Sequence, residues 1–317
     1  MKTKRVLVTG ASGFIGRPLV AALLRAGYAV RAVTRSHASF PDSVEVAIVP
    51  DLLNPIDWNP VLRGVDIIVH LAGMAHSRIA DTTYSEFDQI NWIATQRLAQ
   101  AAKGAGIDRF IYISSVRAQV VPSAVQVIRE QDEPCPTNQY GRSKLAAEQA
   151  IQAAGVPFTI FRPVVIYGPH PKGNMRTFVR LARSFLPLPA LRNQRSLLAV
   201  DNLISAIVFA LNNPVTIGET YLVANSGPMT MREIFAILRK MQGRSLTSIQ
   251  GRSLTSIYVP QVIIHLSLMM FGRKDLLARM SGDLVVDTSK LESVGWRPAI
   301  ATYEGLRGMM RAEDGEP

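Results

Sequence analysis

Tyr140 and Lys144 stand four residues apart in "NQYGRSK" (138–144), where a helix reads as beginning. Positions i and i+4 of a helix face the same way. An ammonium beside a phenol stabilises the phenolate and lowers its pKa. A serine hydroxyl, here Ser115, could then share the proton and hold a substrate oxygen. This is a general-base design for oxidising an alcohol by hydride transfer. Taken alone, the same spacing is that of an ordinary surface helix, so the surrounding elements must decide.

A second constellation lies at the N-terminus. "TGASGFIG" (9–16) places Gly10, Gly13 and Gly16 directly after a strand and at the opening of a helix. Glycines let the backbone turn tightly and approach a pyrophosphate, whose charge meets the helix N-terminus. Ser12, Phe14 and Ile15 belong to the same loop, with Phe14 and Ile15 plugging the helix into the sheet. Dinucleotide binding is the expectation. An acid at the end of the second strand would hold the ribose of NAD, and a cation there suits the 2′-phosphate of NADP. This chain has Thr34-Arg35, which leans towards NADP, although Arg35 could instead stack on adenine. Asp51 and Leu52, after the third strand, are candidates to hold the adenine.

The elements that must position these residues alternate. Strands read at 5–10, 29–35, 44–51, 65–73, 109–115 and 158–168, with amphipathic helical stretches between them. Apolar strands separated by helices predict a doubly wound parallel α/β sheet, a Rossmann fold, covered on both faces. Residues 1–168 form the expected dinucleotide-binding domain. After Gly168 strands become sparser, and 169–317 reads as a smaller α/β substrate-binding domain, with elements of 197–225 returning to the sheet. Tyr140 and Lys144 then follow the strand that ends at Ser114-Ser115, on the edge where open α/β sheets bind ligands.

Composition narrows the partners. The net charge of +11 suits an anionic ligand. No Asp or Glu occurs between Glu148 and Asp201, whereas that stretch carries Arg162, Lys172, Arg176, Arg180, Arg183, Arg192 and Arg195. It reads as an anion-binding region or as a solvated basic face. No basic–aromatic interleaving or DNA-reading motif appears, so nucleic acid is not an expected partner. The one cysteine, Cys135, excludes a disulfide framework and a cysteine-built zinc site, and suits a reducing cytoplasm. No metal site is expected. The apolar run 262–271 is about half a membrane span and reads as a core helix, with membrane-surface contact as the weaker alternative. "QGRSLTSI" occurs twice in tandem, at 242–249 and 250–257, and is read as a lengthened surface loop without assigned function.

Together these motifs resemble the extended short-chain dehydrogenases/reductases of the NAD-dependent epimerase/dehydratase family. The glycine motif, Tyr140-x-x-x-Lys144 and Ser115 match, as do "HLAG" (His70, Leu71, Ala72, Gly73) and the helix residue Asn91. So do "RPVVIYGP" (162–169) and the late "SKLESVGWRP", and nearly the whole chain is covered. The resemblance implies cofactor contacts from Leu71, Ala72, Gly73, Asn91, Tyr140 and Lys144, and nicotinamide contacts from Pro163 and Val164. It implies that Arg195 grips a diphosphate, with Asn174 and Arg279 completing the anchor and Ser115 and Val116 facing the sugar. It also implies a homodimer through helices around 85–103 and 141–154.

Within the family, dehydratases look like "S-T-D-E" at the serine. Here Val116-Arg117 follows Ser115, so the acid pair that removes water is missing. "YGRSKLAAEQ", "PKGN" and "NQRSLLAVDNL" are similar to bacterial sugar 4-epimerases, acting on UDP-linked or polyprenyl-diphosphate-linked hexoses or N-acetylhexosamines. The implied reaction is transient oxidation at C4 with NAD or NADP: Tyr140 takes the 4-hydroxyl proton, the keto sugar turns, and hydride returns to the other face. The alternatives are an NADPH-dependent keto-sugar or carbonyl reductase, towards which Arg35 points, and a non-catalytic dinucleotide-binding relative. The second fits poorly with the presence of Ser115, Tyr140 and Lys144 together.

Overall fold

A computed structural model of the chain describes residues 3–75, 84–120, 124, 126–171, 173–183, 193–241 and 282–314. The tandem "QGRSLTSI", the run 262–271, Lys172, Arg192 and Arg279 lie outside the described residues.

The main sheet is built from β1 (Arg5–Thr9), β2 (Ala29–Thr34), β3 (Val44–Ile48), β4 (Ile67–His70), β5 (Arg109–Ile113), β6 (Phe158–Pro163) and β10 (Glu219–Val223). All pairings in it are parallel, in the order β10-β6-β5-β4-β1-β2-β3. The strands are apolar on both faces because both are covered. Val6, Val8, Ile67 and Val69 face one core with α1 (Gly16–Arg25) and α7 (Val200–Asn212). Leu7, Ile68, Phe110 and Tyr112 face the other. That second core is covered by α2 (Asn59–Leu62), α4 (Ala94–Gly104) and α5 (Gln139–Ala154). Strand order reverses between β1 and β4, which opens a crevice at their C-terminal ends.

Two stretches differ from their sequence reading. The run 158–168 is not one strand. β6 ends at Pro163, which has no N–H to continue a ladder. Val164 donates to Val223 O at 3.2 Å, and β7 (Val165–Tyr167) then pairs with β9 (Leu197–Ala199) in a separate sheet. The helix read around 85–103 is not regular throughout: it opens as α3 (Tyr84–Phe87) and a π-helical turn, Asp88–Ile93, that runs into α4.

β8 (Gln194–Arg195) pairs with β11 (Met229–Thr230). A third core gathers Tyr167, Phe178, Phe235, Leu238 and Met309. It lies under α6 (Gly173–Arg183), α8 (Met231–Lys240) and α10 (Thr302–Asp314), while α9 (Ser289–Ser293) packs on β10. No helix among the described residues is long and apolar enough to cross a membrane.

Candidate active site

The glycine loop and the loop after β4 sit back to back at the crevice. Gly10 has φ +67°, and a Cβ on it would lie 3.1 Å from Ala72 N. Gly13 N–H donates to Gly10 O at 2.9 Å. A Cβ on Gly16 would overlap Gly10 O and stand 2.6 Å from Ala11 O. The backbone therefore forms a cradle that only glycine permits, with the first turn of α1 opening from it. Its unpaired N–H groups suit a pyrophosphate. Ser12 is exposed on this loop, and Phe14 and Ile15 pack half-buried against the core.

Below the cradle the hydrogen-bond directions follow from the donor count. Thr9 Oγ1 accepts from Leu71 N–H (3.2 Å) and Ala72 N–H (3.1 Å), so its own proton goes to His70 Nδ1 at 2.7 Å. His70 Nε2 then carries the ring proton and donates to Thr95 Oγ1 at 2.9 Å, while Thr95 donates to Asn91 O at 2.7 Å. Burial, and secondarily the Lys144 charge, pushes the His70 pKa down to about 3, so the ring is neutral. Asn91, buried by the π turn, accepts from Met74 N–H at 2.7 Å and donates to Met74 O and Ser143 Oγ, each at 3.0 Å. Gly73 fits between Asn91 and Lys144: a Cβ there would be 2.9 Å from Asn91 Oδ1 and 3.5 Å from Lys144 Nζ. Leu71, Ala72, Gly73 and Asn91 thus line one rim.

Asn138 caps α5, its Oδ1 accepting from Gly141 N–H at 2.7 Å. Ser115 caps the 3₁₀ turn Val116–Ala118, its Oγ accepting from Arg117 N–H at 3.2 Å. The turn and the helix touch where a Cβ on Gly141 would overlap Arg117 O. This sets Tyr140 where the Ser115 side chain acts to lower its pKa. Lys144 Nζ donates to Ile113 O at 2.8 Å and Tyr112 Oη at 3.1 Å, 4.6 Å above the Tyr112 ring. Burial lowers its pKa to about 8, opposed by Glu148.

Burial raises the Tyr140 pKa above its ordinary value, and the groups opposing this are the Ser115 hydrogen bond and the Arg117 charge. Lys144 is instead drawn to the Ile113 carbonyl and Tyr112. The cation that favours the phenolate is Arg117, a residue singled out from sequence only as a departure from the dehydratase pattern.

Arg117 also acts on Arg195. Burial brings the Arg195 pKa down to about 10, the Arg117 charge adds to this, and Asp283 opposes it. The Arg117 charge therefore acts both on Tyr140 and on the buried Arg195 of β8. Val116, Pro163 and Val164 are buried on the adjoining turn and at the end of β6. Asn174 stands in the first turn of α6. At the far end, Arg35 Nη1 donates to Asp51 Oδ2 at 2.7 Å, and Asp51 Oδ1 accepts from Leu53 N–H at 3.1 Å beside Leu52. Burial acts upward on the Asp51 carboxyl, but these hydrogen bonds and the Arg35 charge hold it below its ordinary value. Among the described residues no His, Cys, Asp and Glu cluster could hold a metal.

Sequence reading missed Tyr112, Arg117 and a buried Glu148–Arg162 pair with Nη2–Oε2 at 2.6 Å. Glu148 carried a signal, since it lies four residues after Lys144 on the same helix face.

The model of the NAD dependent epimerase/dehydratase family matches residues 6–224. A UDP-glucose 4-epimerase of Vibrio cholerae is 30% identical over 323 residues, covering 98% of this chain and 95% of its own. A ceramide reductase of Caulobacter vibrioides is 32% identical over 214 residues, 66% of this chain and 62% of its own. The solved structure of MoeE5 with UDP-glucuronic acid and NAD superposes with TM-score 0.76 at 26% identity, covering 98% of this chain and 99% of that one. With cradle, serine, tyrosine and lysine assembled on this sheet, the chain belongs to the NAD-dependent epimerase/dehydratase family of extended short-chain dehydrogenases/reductases.

Proposed function

We propose that the protein is an NAD-dependent 4-epimerase of a diphosphate-linked hexose or N-acetylhexosamine, of the UDP-glucose or UDP-N-acetylglucosamine type. The observation that carries this is the line of charge from Tyr140 through Arg117 to Arg195. It joins a proton-accepting phenol to an anchor for a diphosphate, so that a sugar can be held at one end while its ring turns at the other. The glycine cradle fits a dinucleotide pyrophosphate. Gly10, Gly13 and Gly16 would hold it, with Asp51 and Leu52 at the adenine, Leu71–Gly73 along one side and Pro163 and Val164 near the nicotinamide. The nicotinamide, when bound, supplies hydride acceptance and return.

The chain's own residues do the rest. Ser115 holds the sugar oxygen and passes its hydrogen bond to Tyr140. Tyr140 removes the hydroxyl proton and later restores it. Arg117 stabilises the phenolate that accepts the proton and is left again once the proton has been returned. Lys144, fixed by Ile113 O and Tyr112, faces the ribose. Arg195, with Asn174 and Arg279, anchors the diphosphate, and 169–317 supplies most of the sugar site. The Arg35–Asp51 pair supports NAD over NADP, because a 2′-phosphate at Arg35 would have to displace a carboxylate. The likeness to the relative named a ceramide reductase keeps NADPH-dependent reduction as the second reading.

The two separate in one assay. With NAD and a UDP-hexose or UDP-N-acetylhexosamine, the expected result is interconversion of C4 epimers with no net change in reduced-nicotinamide absorbance. Stoichiometric consumption of NADPH by a keto compound, with no interconversion, would overturn the epimerase assignment.

A further inference from the structure

Glu148 and Arg162 are 2% and 6% exposed, and the mechanism above leaves them idle. Arg162 Nε donates to the two Glu148 oxygens at 3.0 and 3.1 Å, and Nη2 donates to Oε2 at 2.6 Å. Glu148 Oε1 also accepts from the Ser114 hydroxyl. Arg162 Nη1 donates to Gln119 Oε1 at 2.8 Å. Gln119 Nε2 in turn donates to Asp132 O at 3.1 Å and to Arg129 O. Each partner adjoins a working segment. Ser114 precedes Ser115, Gln119 follows the Arg117 turn, Glu148 sits one helical turn beyond Lys144, and Arg162 precedes Pro163-Val164.

A buried ion pair is seldom kept for stability, since apolar residues of the same volume do as well or better. Here its directional bonds link the segments that carry Ser114, Gln119, Glu148 and Arg162. Glu148 also lies four residues from Lys144 on α5, so the two share one face of the helix. The groups around Lys144 are His70 on β4 and Tyr112 on β5, both neutral, Tyr140 and Glu148 on α5, and Arg162 on β6 behind Glu148. Glu148 is the group that favours the ammonium.

We propose that the Glu148–Arg162 pair is a positioning device for the hydride-transfer site: it sets Ser115, Lys144 and Pro163-Val164 in register from beneath, and Glu148 is the counter-charge that keeps Lys144 an ammonium. The proposal rests on Lys144 working in the dinucleotide site, but not on the identity of the sugar.

The test therefore needs no substrate. The full chain is labelled at its lysine side chains and titrated by NMR, with Lys144 assigned from a Lys144→Met spectrum. The wild-type midpoint is expected at about 8. In Glu148→Gln it should fall by about one pH unit or more, because the stabilising anion is gone. Glu148→Asp should keep it near the wild-type value. If Glu148→Gln fails to fold around an unpaired Arg162, the double variant Glu148→Gln/Arg162→Met removes both charges and must show the same fall. An unmoved Lys144 midpoint in a folded variant would overturn the proposal. Absence of epimerase activity in the wild type would sink the function above and leave this titration readable.

Discussion

A buried phenol that must ionise near neutrality needs a cation close by and a donor on its oxygen. For Tyr140 the Ser115 side chain and the Arg117 charge act in that direction. Removing that cation raises the Tyr140 pKa, so a higher pH is needed to populate the phenolate. Arg117→Gln should therefore move the acidic limb of the kcat–pH profile upward, by up to about one unit. Superimposable profiles would show that Arg117 does not act on the phenol. Tyr140→Phe removes the base while leaving the cradle intact. It should lower kcat by roughly three orders of magnitude or more, with dinucleotide affinity, read by calorimetry, within a few-fold of wild type. Retained turnover would exclude Tyr140 as the base. The type and spacing of Tyr140 and Lys144 were legible in the sequence. Which cation serves which group was not, because spacing along a helix says nothing of Ile113 O and Tyr112 competing for the ammonium from another element.

At the scale of elements, the fold was largely legible because it rests on local patterns. The central strands β1, β4, β5 and β6 are largely apolar runs, and the longer helices between them are amphipathic. The glycine loop was readable in the same way, since a backbone that must approach itself and a phosphate leaves few residue choices. The tightest point of that backbone is Gly16. Gly16→Ala places a methyl group against Gly10 O and Ala11 O, so the turn into α1 must open. Dinucleotide affinity should drop by about tenfold or more, equivalent to about 1.4 kcal/mol, while Gly27→Ala, with nothing within 4 Å of its Cβ, should cost only the strain of its positive φ and leave affinity unchanged. Equal losses from the two variants would remove Gly16 from the cradle. The split of 158–168 and the π turn ahead of α4 were not legible. One depends on β9, some thirty residues further along the chain, and the other on the buried demand of Asn91 for Met74 and Ser143.

For the whole molecule the question is how the third core is held to the sheet that carries the chemistry. The joint is a pair of buried asparagines. Asn225, just past β10, accepts from Ala199 N–H at 3.1 Å and from Asn202 Nδ2 at 2.7 Å. It donates to Tyr167 Oη at 2.9 Å and Thr302 Oγ1 at 3.2 Å. Asn202 accepts from Ala299 N–H at 3.1 Å and Ile300 N–H at 3.0 Å. One side chain thus joins β7, β9 and the start of α10 to the end of the main sheet, close to the strand that bears Arg195. Asn225→Ala removes the acceptor of the buried Ala199 N–H, a loss of about 1–3 kcal/mol, and loosens Asn202, Tyr167 and Thr302, so the chemical-denaturation midpoint should fall measurably. The loss should be unequal between ligands. The glycine cradle touches none of these atoms, so dinucleotide affinity should hold, whereas KM for the diphosphate sugar should rise through the displaced Arg195. Parallel losses for both ligands would mean that Asn225 supports the molecule as a whole and that sugar and dinucleotide are not bound by separately anchored parts of it.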